Sequence, residues 1–399
     1  MTLFWTILFY ISTGALFHTY AFYPLLLWAL SPRKKAPRPA FGQEDAWPAV
    51  SVLLSVYNEE AVIAKKLGSL FESEYPAGQI HFFIGSDASS DQTEQIILSA
   101  SGERGDVHFF PFPQRRGKPA VLNDLAERAL HRTPASKGHL LLITDANVFL
   151  EPNTIRLLAR HFKDSRIGLV DAHMINTGQA KEGISRSETQ YIKAESLLKF
   201  REGQLWGAMI GPFGGCYMLR SDLFTPIPPH FLVDDFYLAM RAFEKGTHAI
   251  NDLEALCYEA VSHEIKEEFR RKSRIAAGNY QNLSLFGHLV WPPWSGLGFS
   301  FLSHKILRWL GPFFLLLMLF SSLFLALEGN IFFTIVLIIQ LALWGLVPLI
   351  DQLLLKWGLH GFWLRSIRYF LAMNIALFAG FIRYVRGVKS GAWEPPKRV

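Results

Sequence analysis

Cysteine is nearly missing from this 399-residue chain: only Cys216 and Cys257 occur. That excludes a disulfide framework and a paired-cysteine zinc site, and it suits a reducing, cytosolic side. Acidic residues are scarce at both ends, most of the 34 falling between residues 45 and 275, and residues 2–30 carry no formal charge at all. A soluble middle held between membrane ends follows from that asymmetry. The chain has no internal repeat and no low-complexity tract.

Half the residues are apolar, 14% are aromatic, and the net charge is +6. The excess of basic groups gathers beside apolar runs, as Arg33, Lys34, Lys35 and Arg38, then Arg383, Arg386, Lys389, Lys397 and Arg398. Anionic lipid headgroups attract cations placed there, so the charge points to membrane lipids and away from nucleic acid.

Residues 1–30 read as an uncleaved anchor, because the apolar run exceeds the roughly 20 residues needed to cross hydrocarbon and has no basic leader or small-residue cleavage site. The basic, proline-rich linker 31–44 then falls in the cytosol by the positive-inside rule, which places the following domain on the cytosolic side of a multi-pass cell (inner) membrane protein. Residues 286–305, rich in Trp, Pro and Gly, read as an interfacial segment. The region 306–399 holds three further apolar stretches, 306–327, 331–350 and 369–385, and a basic tail. Three crossings would leave the C-terminus outside, whereas its basic residues argue for the inside; a re-entrant stretch, or a crossing within Asp351–Arg368, would reconcile the two.

The domain 45–285 alternates β-rich apolar runs (Val50–Val56, Ile80–Ser86, Val107–Phe110, Leu140–Thr144, Ile167–Val170) with helix-like stretches. That pattern predicts an α/β fold with a mainly parallel sheet covered on both faces. Ligands bind such sheets beyond the carboxyl ends of the strands. Tyr57-Asn58-Glu59, Asp87 and Asp145 stand at those ends.

Six segments follow one another in order: SVLLSVYNEE, IGSDASSDQT, RRGKPAVLND, ITDANVFLEP, GPFGGCYMLR and VDDFYLAMR, and after them an arginine-rich helix. Together they resemble the family 2 glycosyltransferases, inverting, membrane-integrated enzymes with a Rossmann-like GT-A fold related to bacterial polysaccharide synthases. The resemblance implies a nucleoside-diphosphate sugar donor, UDP-linked, with Tyr57, Asn58, Glu59 and Asp87 around the nucleoside. Arg116, Lys118, Asp145, Arg271 and Arg274 would serve its diphosphate. Asp145-Ala146-Asn147 matches the family's Asp-x-Asp motif for Mg2+ or Mn2+, with Asn147 in place of the second aspartate. Of the acidic pair, Asp235 matches the general base, and Asp234 replaces the more usual glutamate. Gly214, Gly215 and Cys216 would form a narrow passage for the acceptor or sugar.

Other uses of the same residues stay open. Asp91 or Asp87 would also serve as a helix cap, Asn147 as part of a capping turn, and Arg115 to Lys118 as a solvated loop. Asp234 and Asp235 would also favour a helix N-terminus. The face shared by Arg270, Arg274, Gly278 and Gln281 would clamp a diphosphate or meet lipid. At that helix the family's Gln-x-x-Arg-Trp is matched only at Arg274, which favours limited addition to a lipid-linked or saccharide acceptor over processive polysaccharide synthesis. A catalytically weak nucleotide-sugar-binding subunit is the competing reading from Asn147 and the altered helix; a transporter is disfavoured by the scarcity of charge within the apolar runs.

Overall fold

The structure, a computed structural model, describes residues 1–31, 41–42, 45–133, 138–177, 185–260, 265–357, 361–388 and 391. The basic residues Arg33, Lys34, Lys35, Arg38, Lys389, Lys397 and Arg398, on which the membrane orientation rested, lie outside them.

Eight strands form one sheet: β1 (Val50–Val56), β2 (Ile80–Asp87), β3 (Val107–Phe112), β4 (Leu140–Thr144), β5 (Val148–Leu150), β6 (Ile167–Thr177), β7 (Cys216–Arg220) and β8 (His248–Ala260). Their order is β3-β2-β1-β4-β7-β6-β8-β5. The four strands from β3 to β4 run parallel, as the alternating pattern predicts. Beyond β4 the sheet turns mixed, since β7 is antiparallel to both β4 and β6, and β5 is antiparallel to β8. The fold is thus α/β with a mixed sheet whose parallel half holds the strand ends singled out above.

Side chains alternate across this sheet as a pleat requires. Leu53, Phe83, Leu141 and Ile143 join one core with Val121, Leu122 and Leu125 of helix Lys118–Arg132. Val52, Leu54, Ile84 and Leu142 join the other with Ile63, Leu67 and Leu70 of helix Ile63–Phe71. Each fully buried Val, Leu or Ile contributes about 1.5–3 kcal/mol. Because β1 and β4 are neighbours while the chain leaves β1 toward β2, their carboxyl ends flank the point where the strand order reverses, which opens a crevice there.

Helices dominate the ends. Residues 2–30 are helical through three consecutive pieces, Thr2–Phe17, His18–Phe22 and Tyr23–Leu30; the first packs on Gly311–Leu327 and turns Leu3, Phe4, Ile7 and Ile11 outward, and the last packs on helix Ser185–Trp206. Among the described residues two helices are long and apolar enough to cross a membrane, Ile331–Lys356 and Trp363–Val385. Gly296–Trp309 and Gly311–Leu327, bent by 60°, would add a third if they form one broken span. Between the two long helices Asp351 is buried and lies 2.8 Å from Arg368. Of the segment 286–305, Trp291 and Trp294 are exposed, whereas Phe301, Ser303 and His304 are buried, Ser303 against His18 and Thr19 and His304 against Glu195 and Glu202.

Candidate active site

The crevice is built from the ends of β1, β2 and β4. After β1, Asn58 adopts a left-handed backbone (φ 51°), and its side-chain oxygen accepts the Ser90 N–H at 2.8 Å. Asn58 thereby ties the β1 loop to the β2 loop behind the crevice, while Tyr57 and Glu59 line it. Asp91 accepts the Thr93 and Glu60 N–H groups, so it fastens the turn before helix Thr93–Ser101 to the β1 loop.

Asp87, the last residue of β2, is buried and accepts the backbone N–H groups of Arg116 (2.6 Å) and Gly117 (2.8 Å). That pair holds the Arg-Gly-Lys loop in place. Arg116 lends the loop its backbone, for its guanidinium turns over the Phe112 ring (4.1 Å) and toward Asp124 (3.3 Å). Arg115 stacks instead on Tyr57, 3.8 Å from the ring centroid.

Lys118 projects from the loop into the crevice. Its ammonium lies 2.8 Å from Asp145 Oδ1 and 3.3 Å from Asp234 Oδ2. Burial works against the charged form, but the attraction of Asp145 and Asp234 outweighs it and holds Lys118 above its ordinary value. One cation therefore links the turn after β4 to the acidic pair that opens helix Asp234–Glu244.

The turn Asp145-Ala146-Asn147 is pinned from beneath. Lys66, fully buried on helix Ile63–Phe71, donates to Thr144 Oγ1 (2.8 Å) and Val148 O (2.5 Å); burial lowers its pKa to about 8. Asp145 N–H and Thr144 Oγ1 both donate to Gly215 O. Asn147 gives its amide N–H to Glu259 of β8 at 2.7 Å, and Glu259 lines the crevice. A carboxylate thus stands beside the position where the family motif has its second aspartate. Among the described residues no group of three His, Cys, Asp or Glu side chains could hold a metal ion. Asp145, Asn147 and Glu259 line the crevice together, and their oxygens are of the type a hard divalent ion takes.

Gly214 has φ 85°, and a Cβ added there would lie 2.7 Å from Asp235 Oδ2. Gly215 faces Met174 and Val148. The paired glycines make room for the Asp235 carboxylate and for the Met174 and Val148 side chains. Cys216 begins β7 and is buried; Gly215 lines the crevice and Gly214 the cavity beside it, and Cys216 lines neither.

Asp235 is pushed up to about 7 by burial and by its neighbour Asp234, against the pull of Lys118. The arginine-rich helix Ile265–Phe286 fixes this pair from the other side. Arg274 Nη1 donates to Leu232 O (3.3 Å), Gln281 accepts the Leu232 N–H (3.1 Å) and donates to His230 O (2.9 Å), and Gly278 lets Val233 pack closely. Arg271 and Arg274 also line the crevice; Arg270 is exposed.

A second cluster, which the motifs do not reveal, flanks Asp235. Glu195 on helix Ser185–Trp206 meets His304 (2.9 Å), Lys305 (2.5 Å) and Arg308 (2.7 Å). Burial would raise its carboxyl, but these three partners hold it well below the usual range. Lys199 of the same helix lies over the Phe213 ring (3.4 Å) and 3.8 Å from buried Asp171.

The model for "Glycosyl transferase family 2" matches residues 51–224, and that for "Glycosyl transferase family group 2" matches residues 140–382. A beta-monoglucosyldiacylglycerol synthase of Trichormus variabilis is 27% identical over 265 residues, 63% of this chain and 54% of the relative. An N-acetylglucosaminyltransferase of Rhizobium sp. is 24% identical over 257 residues, 60% of this chain and 55% of the relative. The match thus spans about half the length of these curated relatives. The mannosyltransferase PcManGT of Pyrobaculum calidifontis, solved with GDP-Man and Mn2+, shares the fold with a TM-score of 0.68 at 20% identity, covering 95% of this chain and 99% of that one.

Proposed function

The chain belongs to glycosyl transferase family 2, and from that premise we propose that its crevice transfers a sugar from a nucleoside-diphosphate sugar, UDP-linked, to a membrane-associated acceptor with inversion. The observation that supports this reading is Lys118 between Asp145 and Asp234: one cation touches both the turn after β4 and the acidic pair.

In this reading Tyr57, Glu59 and Asp87 border the nucleoside, and Arg271, Arg274 and Lys118 face the diphosphate. Asp145, with Asn147 and Glu259, would hold Mg2+ or Mn2+, which when bound neutralises charge on the departing nucleotide. Asp235 takes the proton of the acceptor hydroxyl as that oxygen attacks the anomeric carbon. The face opposite the leaving group is the one attacked, so the configuration inverts. Burial beside Asp234 raises the basicity of Asp235 toward the working pH, which suits it to this task. The helices able to cross a membrane support a multi-pass membrane protein, with the domain on the cytosolic side, where nucleotide sugars are made.

Release of nucleoside diphosphate from a panel of uridine and guanosine diphosphate sugars, with and without divalent ion and membrane lipid extract, tests the reading. Acceptor-dependent release is expected. Binding without turnover would instead support the nucleotide-sugar-binding subunit.

A further inference from the structure

Resting on the transferase reading, we propose that the acceptor reaches Asp235 from the bilayer as a single lipid whose head carries both a phosphate and a free hydroxyl. Two adjoining cavities carry this. One, of about 260 Å3, is bordered by Gly214, Asp234, Asp235, Glu195 and Lys305. The other, of about 470 Å3, is bordered by Tyr20, Tyr369, Phe370, Met373 and Leu377. They share Lys272, Ile275, Asn279, Arg308 and Trp309 in their walls. A molecule with its head at Asp235 would therefore lay its hydrocarbon against Tyr20 and against helix Phe362–Val385, which contains one of the two membrane-crossing candidates.

Charge selects the head. The charged residues common to both cavities are Lys272 and Arg308, both basic. Lys272 lies 3.2 Å from Glu268, which Arg271 also engages at 2.8 Å; Arg308 shares Glu195 with Lys305. Glu268 thus holds Arg271 and Lys272, and Glu195 holds His304, Lys305 and Arg308; with Lys272 and Arg308 fixed in the shared wall, a phosphate at the neck would accept charge-assisted hydrogen bonds from both.

Chemistry selects the hydroxyl. A carboxylate base has a proton to take only if the nucleophile bears one. The hydroxyl oxygen forms the new bond to the anomeric carbon, the bond from that carbon to the diphosphate oxygen breaks, the diphosphate leaves with the electron pair, and the proton passes to Asp235. Hydroxylated glycerophospholipids and polyprenyl-diphosphate-linked sugars both have this chemistry.

The test uses the full chain in phosphatidylcholine vesicles doped with phosphatidylglycerol, with a polyprenyl-diphosphate-linked sugar, or with diacylglycerol, and a fourth arm with a soluble oligosaccharide. A panel of labelled UDP- and GDP-sugars is the donor. Label is expected in the lipid of at least one phosphate-bearing arm, at least tenfold above the diacylglycerol arm. Lys272→Gln, and independently Met373→Trp, should raise the KM for that lipid severalfold and leave the donor KM unchanged. Equal transfer to diacylglycerol, preference for the soluble saccharide, or an unchanged lipid KM in both variants would overturn the inference and leave the transferase reading standing. Failure of transfer in every arm would overturn both.

Discussion

Asp235 and Gly214 face each other with no room for a methyl group between them: a Cβ on Gly214 would stand 2.7 Å from Asp235 Oδ2. The glycine also sits at φ 85°, which L side chains rarely adopt. Gly214→Ala is therefore expected to displace the carboxylate and to lower kcat by about 10- to 100-fold, the scale of a misplaced catalytic group. Donor affinity, measured by calorimetry, should stay within about threefold, since the crevice residues for the nucleotide are untouched.

The raised pKa of Asp235 gives a pH signature. The base must be ionised, so kcat/KM should climb about tenfold per pH unit below pH 7 and level off above it. The stability consequence has the opposite sense. An ordinary carboxyl loses its proton near 3.8, whereas the folded chain keeps this one to about 7, so the folded state binds the extra proton and stability falls as pH rises between those values. Asp235→Asn should remove that fall, read from the thermal midpoint across the same pH range.

Asn147 and Glu259 stand 2.7 Å apart. Asn147→Asp places two carboxylates in contact, which repel unless a cation joins them. Mn2+ affinity, followed by electron paramagnetic resonance in the presence of nucleoside diphosphate, is expected to increase at least severalfold in Asn147→Asp and to decrease in Glu259→Gln. Unchanged affinity in both would remove Glu259 from the ion's surroundings.

The buried Asp351–Arg368 pair joins the two long C-terminal helices. Arg368→Met leaves the carboxylate without its cation, and removing one partner of a buried pair costs about 3–5 kcal/mol. The thermal midpoint in detergent should drop, and the double variant Asp351→Leu with Arg368→Met should recover most of the loss.

How much of this was legible in the sequence depends on how local each signal is. β1 and β4 were read to the residue because strands buried on both faces are continuous apolar runs. β8 was missed, because Asn251, Asp252 and Glu254 interrupt it and its register with β6 shifts midway. β6 extends to Thr177, past the expected end at Val170, because His173 and Asn176 hide its alternation. At the site, Asp87, Lys118, Asp145 and Asp235 are legible as motifs; the structure brings the first three to one crevice and sets Asp235 in the adjoining cavity, which Lys118 and Asp145 also line. Lys66 and Glu195 were not, since Thr144 lies 78 residues from the first and Arg308 lies 113 residues from the second; only the folded sheet and helices unite them. Arg116 and Asn58 were assigned to the donor, yet a loop needs its own fastenings, and both side chains serve the loops.

The most direct measurement is sugar transfer by Asp235→Asn beside the wild-type chain in the same vesicles, with donor affinity determined in parallel. Donor binding within about threefold of wild type and transfer lowered by at least about 100-fold, the usual scale for a general base, is the expected result. Transfer within a few-fold of wild type would contradict the assignment of Asp235 and with it the proposed chemistry of the crevice.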